Sequence, residues 1–191
     1  MILESIIQQL SSKIYALGFV SKSGGLGREL IVSAAGTTRR IVSAAIAPFS
    51  DNRYFELSPD RKDSGIVFFT AGATRVIRQD VYTMTLENEI VLYGWINGEI
   101  TKADQTTDPE LLIVAQIRKA RFKPEEGHPV RGIEIDYVGS QEPDFSRFGW
   151  DDAVFQYGAH PHKLFRHQFR INYVVSVGCS TQSVTVAGAV C

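Results

Sequence analysis

From Phe165 to Val177 the chain alternates almost without fault. Phe165, His167, Phe169, Ile171, Tyr173, Val175 and Val177 fall on one side, and Arg166, Gln168, Arg170, Asn172 and Ser176 on the other. Successive side chains of a strand point to opposite faces, so this stretch predicts a long antiparallel strand with one buried and one wet face. It closes an order of helix, strands, helix, strands, and that order sets the fold class. No catalytic motif of comparable strength accompanies it. An architecture is therefore legible, and expectations about function follow from that architecture.

The 191 residues suit one domain with a sizeable core. With 44% hydrophobic and 21% charged residues the chain has ordinary globular usage, which argues against disorder. A net charge of −1 supplies no global field to attract nucleic acid. No apolar run is long enough to span a bilayer. The start of the chain lacks a basic segment, and Glu4, Gln8 and Gln9 interrupt its apolar stretch, so it does not read as a secretory signal. The expectation is a cytoplasmic origin, with Cys179 and Cys191 as free thiols.

Leu3, Ile7, Leu10, Ile14 and Leu17 form one apolar stripe, which predicts a helix over 3–17 lying on a sheet and ending at Gly18. Gly24-Gly25-Leu26-Gly27 reads as a flexible turn. Alternation at Leu30, Val32 and Ala34, and again at Arg40, Val42, Ala44 and Ile46, reads as a hairpin turning at Gly36-Thr37-Thr38. Residues 49–64 read as a polar loop. Ile66 to Thr70 reads as a short strand followed by a turn at Ala71-Gly72-Ala73, and 74–86 as extended chain. Glu89 to Ile96 is apolar on both sides, which predicts a central strand covered twice. Asn97-Gly98 ends it. Asp108-Pro109-Glu110 predicts a helix start, the helix running to about Phe122, where Arg118, Lys119, Arg121 and Lys123 suit the negative end of its dipole. Ile133, Ile135 and Tyr137, alternating with Glu134 and Asp136, predict another strand. A long loop over 139–163 follows, carrying Phe145, Phe148, Trp150, Phe155 and Tyr157. These are too many rings for a free loop in water, so they are candidate contact residues with the fold or with a neighbouring subunit.

His160, His162 and His167 could suggest a metal, but no cysteine or carboxylate partner stands at ligand spacing, and they read as a polar loop followed by a half-buried His167. Gly24 to Arg28 lacks the lysine and hydroxyl residue of a phosphate-binding loop. Glu142, Asp144 and Asp151-Asp152 read as solvated acids, and no nucleophile motif is present. The sequence thus predicts no catalytic, cofactor or metal residues. Lys163, Arg166 and Arg170 alternate along the wet face of the long strand. They could hold nucleic acid, or pair with acids on a neighbouring subunit.

The helix at 3–17, the strand Ile90-Val91-Leu92-Tyr93-Gly94-Trp95-Ile96-Asn97, the helix starting Asp108-Pro109 and the closing strand Phe169 to Val177 together form an order of elements. That order resembles the tail terminator and tail-completion proteins of long-tailed phages and related small neck proteins. The resemblance implies an α+β domain over 1–178, an antiparallel sheet with two packed helices in the order α, several strands, α, β, β. It implies a homo-oligomeric ring at the head–tail junction or the end of the tail tube, other neck or tail proteins as partners, DNA passing through the ring channel, no membrane, no cofactor, and a place in the virion after assembly in the host cytoplasm. The segment 179–191 is a tail that could add a strand. The interface candidates are Phe145, Phe148, Trp150, Phe155, Tyr157, Arg166 and Arg170. The alternative readings are a nucleic-acid-binding protein using a basic sheet face, and then a small-molecule enzyme.

Overall fold

The first apolar stripe forms a helix as expected. A computed structural model describes residues 2–33, 39–47, 53–60, 62–101, 108–122, 130–148 and 162–176. Helix α1 runs Ile2–Tyr15, with Leu3, Ile6, Ile7, Leu10 and Ile14 buried along one side. Gly18 follows with φ of 79°, a left-handed conformation that an L side chain resists.

The glycine run is not a turn. Lys22–Leu26 forms strand β1, which pairs in parallel with β5 (Gly65–Gln79). The reason is space. A Cβ on Gly24 would stand 2.6 Å from the Ala45 Cβ, and one on Gly25 would stand 2.7 Å from Gln8 Nε2. At Gly24 the neighbour is the fixed Cβ of Ala45, so only glycine lets the backbone approach the second sheet there; at Gly25 the end of the Gln8 side chain could move aside. Ser23 extends the contact, since its hydroxyl donates to the Ser11 carbonyl of α1 at 2.9 Å.

The second sheet contains β2 (Arg28–Ser33), β3 (Arg39–Ile46) and β4 (Tyr54–Glu56) in that order. The expected hairpin is present, antiparallel from Arg28 opposite Ala44 to Ser33 opposite Arg39. Strand β4 interrupts the segment expected as a polar loop. Its Phe55 packs into the core beneath the sheet, which explains why one short apolar stretch there is extended.

The turn expected at 71–73 is absent. Strand β5 continues to Gln79, and the small residues are absorbed as an irregularity in its pairing with β6 (Thr83–Asn97) between Ala71 and Thr74. The chain reverses at Asp80 instead. One carboxylate oxygen accepts from the Tyr82 and Thr83 amides at 2.9 and 2.7 Å, and the other from the Thr83 hydroxyl at 2.6 Å. These bonds, the Thr83 hydroxyl first, hold the Asp80 carboxyl below its ordinary range.

Helix α2 runs Pro109–Arg118 behind an Asp108 cap whose side chain accepts from the Glu110 amide at 3.0 Å. It stops one turn short of Phe122, at a cap on Lys119. Strands β7 (Val130–Gln141) and β8 (His162–Ser176) complete the main sheet, whose order is β1-β5-β6-β8-β7. Every neighbour pair is antiparallel except β1 with β5, so the α+β class holds with one parallel edge strand.

Strand β6 is central and covered twice, as its sequence requires. Ile90, Leu92 and Ile96 join the core under α1 and α2, with Phe165, Phe169, Ile171 and Tyr173 of β8. Tyr93 and Trp95 face the other way, into a core closed by Ala45, Leu57 and Phe145. Phe165 lies across Gly94, where an added Cβ would stand 1.9 Å from the ring. The sheet is thus the middle layer between two helices and the small second sheet. Within the described residues no helix is long and apolar enough to cross a membrane.

Candidate functional site

One polar cluster sits where α2 meets the main sheet. Lys163 of β8 donates to Asp108 Oδ2 at 2.5 Å and lies 2.6 Å from Glu110 Oε2. The other Glu110 oxygen lies 2.8 Å from His167 Nε2. His167 Nδ1 stands 3.1 Å from the Tyr137 hydroxyl of β7. His167 is buried, 3% exposed, where the alternation predicts a half-buried residue. Glu110 is held below its ordinary carboxyl range, first by the hydrogen bond with His167 and then by Lys163, against the effect of burial. Burial opposes the charge on Lys163, but Asp108 and Glu110 outweigh it and raise its affinity for a proton. Carboxylate, imidazole and hydroxyl in line is an arrangement able to relay a proton. Here it ties a helix N-terminus to two strands, with Tyr137 hydrogen-bonded to one ring nitrogen of the buried imidazole and Glu110 at ion-pair distance from the other. The sequence reading passed over Glu110 and Tyr137 as partners, because they come from different elements and no local spacing joins them.

The histidines expected to cluster are divided by the strand. His162 stacks on Trp95, ring centroids 5.4 Å apart, on the second-core side of β8. His167 lies on the helix side, next to Phe165. Their side chains therefore point to opposite faces and cannot share a metal ion. No group of three potential metal ligands occurs among the described residues, and His160 lies outside them.

The interface candidates also divide. Phe145 is 1% exposed and meets Tyr93 edge-on, with ring centroids 5.3 Å apart. Phe148 is half-buried, edge-on to Phe68 at 4.8 Å and to Tyr93 at 5.0 Å. Both rings are packed on the chain's own sheet. The Arg166 guanidinium lies 5.5 Å from the centre of the Tyr93 ring. Arg170 Nε lies 3.1 Å from Glu87 Oε2. Lys163, expected beside them, lies on the opposite face, where it meets Asp108 and Glu110, because it stands an odd number of positions from Arg166 and Arg170. The wet face of β8 is therefore a face of matched charges and cation–ring contacts more than a basic field. Trp150, Phe155, Tyr157, Cys179, Cys191 and the 179–191 tail lie outside the described residues.

A larger surface feature lies at the far end of the main sheet. Strand β1 partners β5 only at Ile66, Val67 and Phe69. Beyond Thr70 every residue of β5 is exposed. The β5–β6 hairpin carries Val76 and Ile77, each 54% exposed, and Val81 and Tyr82, 80% and 74% exposed. Opposite, β7 forms the other edge of the sheet, with Val138 at 50%. Among the described residues no strand pairs with the outer edge of either segment. Sequence reading assigned 74–86 only as extended chain. The signal available was Val76-Ile77 and Val81-Tyr82 bracketing a turn, apolar pairs that no alternation assigns to a core.

Comparison of this chain with family models, with curated proteins and with solved structures returns no match.

Proposed function

We propose that this chain is a self-assembling structural protein, a ring subunit of the phage tail-terminator or neck kind. The observation that carries the reading is the β5–β6 hairpin, where Val76, Ile77, Val81 and Tyr82 are each more than half exposed along an open sheet edge. Open edges with apolar side chains are templates for another strand, and natural chains commonly blunt or cover them. The element order of two helices on one face of a mostly antiparallel sheet supports the same reading. The remaining partners implied are other neck or tail proteins, with DNA in the channel of the ring.

Mass in solution, followed by negative-stain images, tests the proposal. The expected result is a discrete species several times the 21.2 kDa chain, with a central hole. A monomer at every concentration would overturn it. A salt-sensitive affinity of that monomer for DNA would favour the nucleic-acid reading in its place.

A further inference from the structure

The two open edges carry opposite charge, and a ladder of alternating charge runs between them across the second-sheet face. Arg75 of β5 stands opposite Glu87 of β6, and its guanidinium lies 3.8 Å from Glu89 Oε1. Glu87 meets Arg170 of β8 at 3.1 Å. Arg170 stands opposite Asp136 of β7, and Asn172, beside it, donates to Asp136 at 3.4 Å. The sign by strand is positive on β5, negative on β6, positive on β8 and negative on β7. A ladder that ends positive at one edge and negative at the other would be continued in the same alternation by a second copy set beside it.

We infer that the β5 edge of one copy, residues 71–79, pairs antiparallel with the β7 edge, residues 130–138, of the next copy. This rests on the self-assembly reading above and names its contact. The polarity fits. Strands β5, β6, β8 and β7 alternate in direction, so β5 and β7 already run antiparallel and a new junction repeats the rule of the sheet. The extent fits too. Through β6 and β8, Gln79 is level with Val130, and Ala71 is level with Tyr137, so both edges are open over the same rows.

Charge selects the register. Arg75 and Arg78 are successive exposed positions on one face of the β5 edge, and Asp136, Glu134 and Arg131 are the successive exposed positions on that face of β7. With no slide, Arg75 of one copy would sit level with Glu134 of the other, but Arg78 would sit level with Arg131, like charge against like. A slide of one same-face step sets Arg75 against Asp136 and Arg78 against Glu134. A two-fold pairing of β5 with β5 brings an arginine-bearing edge against itself, and one of β7 with β7 can set Arg131 against Glu134 but leaves the arginine edge of β5 unmatched. Charge therefore favours a head-to-tail contact, which closes into a ring or grows as an open chain.

Charge-swapped full-length chains test the inference. One variant carries Arg75→Glu with Arg78→Glu, the other Glu134→Lys with Asp136→Lys. Each alone is expected to fall from the assembled mass to the monomer, with its circular dichroism unchanged. Mixed in equal amounts they present matched edges again, and the assembled mass is expected to return. Because Arg75 also meets Glu89, a second measurement avoids any effect on folding. Arg78→Cys and Glu134→Cys, each in a chain with both native cysteines changed to serine, are mixed and oxidised. A disulfide between the two different variants is expected. Wild-type assembly with no effect of the reversals, no recovery on mixing, or no cross-link would overturn the edge pairing and leave self-assembly standing. Open chains in place of closed rings would support the edge pairing and defeat the ring reading. A wild-type monomer at all concentrations would defeat both.

Discussion

The end of the main sheet next to β1 and the end at the β5–β6 turn are made from the same strands. At the first, residues 65–70 of β5 and 92–97 of β6 are buried throughout. Helices cover one face, and the second sheet with Phe145 and Phe148 covers the other. At the second, residues 71–79 of β5 are exposed throughout, and β6 from Thr83 to Glu87 is half-buried. Ile171 and Tyr173 still face the helix-side core there, while Glu87, Glu89 and Arg170 line the other face. A strand can therefore be core on both faces at one end and a charged surface at the other. The change follows where the second layer stops, and the side chains change with it.

The largest loss is expected at Trp95, in the doubly covered end of the sheet. Trp95→Ala should cost about 3–5 kcal/mol in denaturant unfolding, as buried aromatic truncations do. A cost under about 1 kcal/mol would show that the second core does not carry the end of the sheet assigned to it. Ile171→Ala tests whether the helix-side core continues to the far end, and should cost about 2–5 kcal/mol. Its neighbour Arg170→Ala removes a half-exposed ion pair and should stay within about 1 kcal/mol. If the two variants exchanged magnitudes, the facing of β8 would be reversed.

Tyr173→Phe probes the boundary between the two ends. The Tyr173 hydroxyl donates to Asn88 Oδ1 at 2.8 Å inside the core. Removing it leaves a buried acceptor without that donor, at about 1–3 kcal/mol. A melting temperature equal to that of wild type would mean that the bond contributes nothing.

Glu110 gives a pH dependence. Its folded-state value lies below that of the unfolded chain because His167 and then Lys163 favour the carboxylate. Its contribution is therefore complete above the unfolded value, about 4.3, and is lost as pH falls through the folded value. Glu110→Gln should lower the melting temperature at pH 7 and make the decline below about pH 4 shallower. Parallel acid profiles for the two proteins would remove Glu110 from the account. The smallest effect on stability belongs to the exposed end. Val76→Ser with Ile77→Ser should change stability by only about 0.5 kcal/mol, yet lower the assembled mass in solution. Unchanged assembly would separate the apolar hairpin from self-association.

Elements whose side chains repeat with a clear period were legible. The stripe of α1, the alternation of β8 and the two apolar sides of β6 each state a backbone period and a number of covered faces. The Asp108 cap was legible because its chemistry is local. At β1 glycine serves close packing against Ala45 instead of a turn, and sequence does not distinguish a residue that is small for a turn from one that is small for contact. The reversal at Asp80 was missed although its residues suit a turn, because the small residues at 71–73 offered a competing one.

By itself the sequence determined the elements with a clear period, α1, β6 and β8, and the faces they bury, since periodicity is a property of neighbouring residues; strands β1 and β4 and the continuation of β5 past residue 71 carry no such signal. The order β1-β5-β6-β8-β7 was decided only in three dimensions. So were the meeting of Glu110, His167 and Tyr137, the separation of His162 from His167, and the charge ladder from Arg75 to Asp136. Each depends on which strand lies beside which and in what register. Those pairings join residues far apart along the chain, and no local spacing records them.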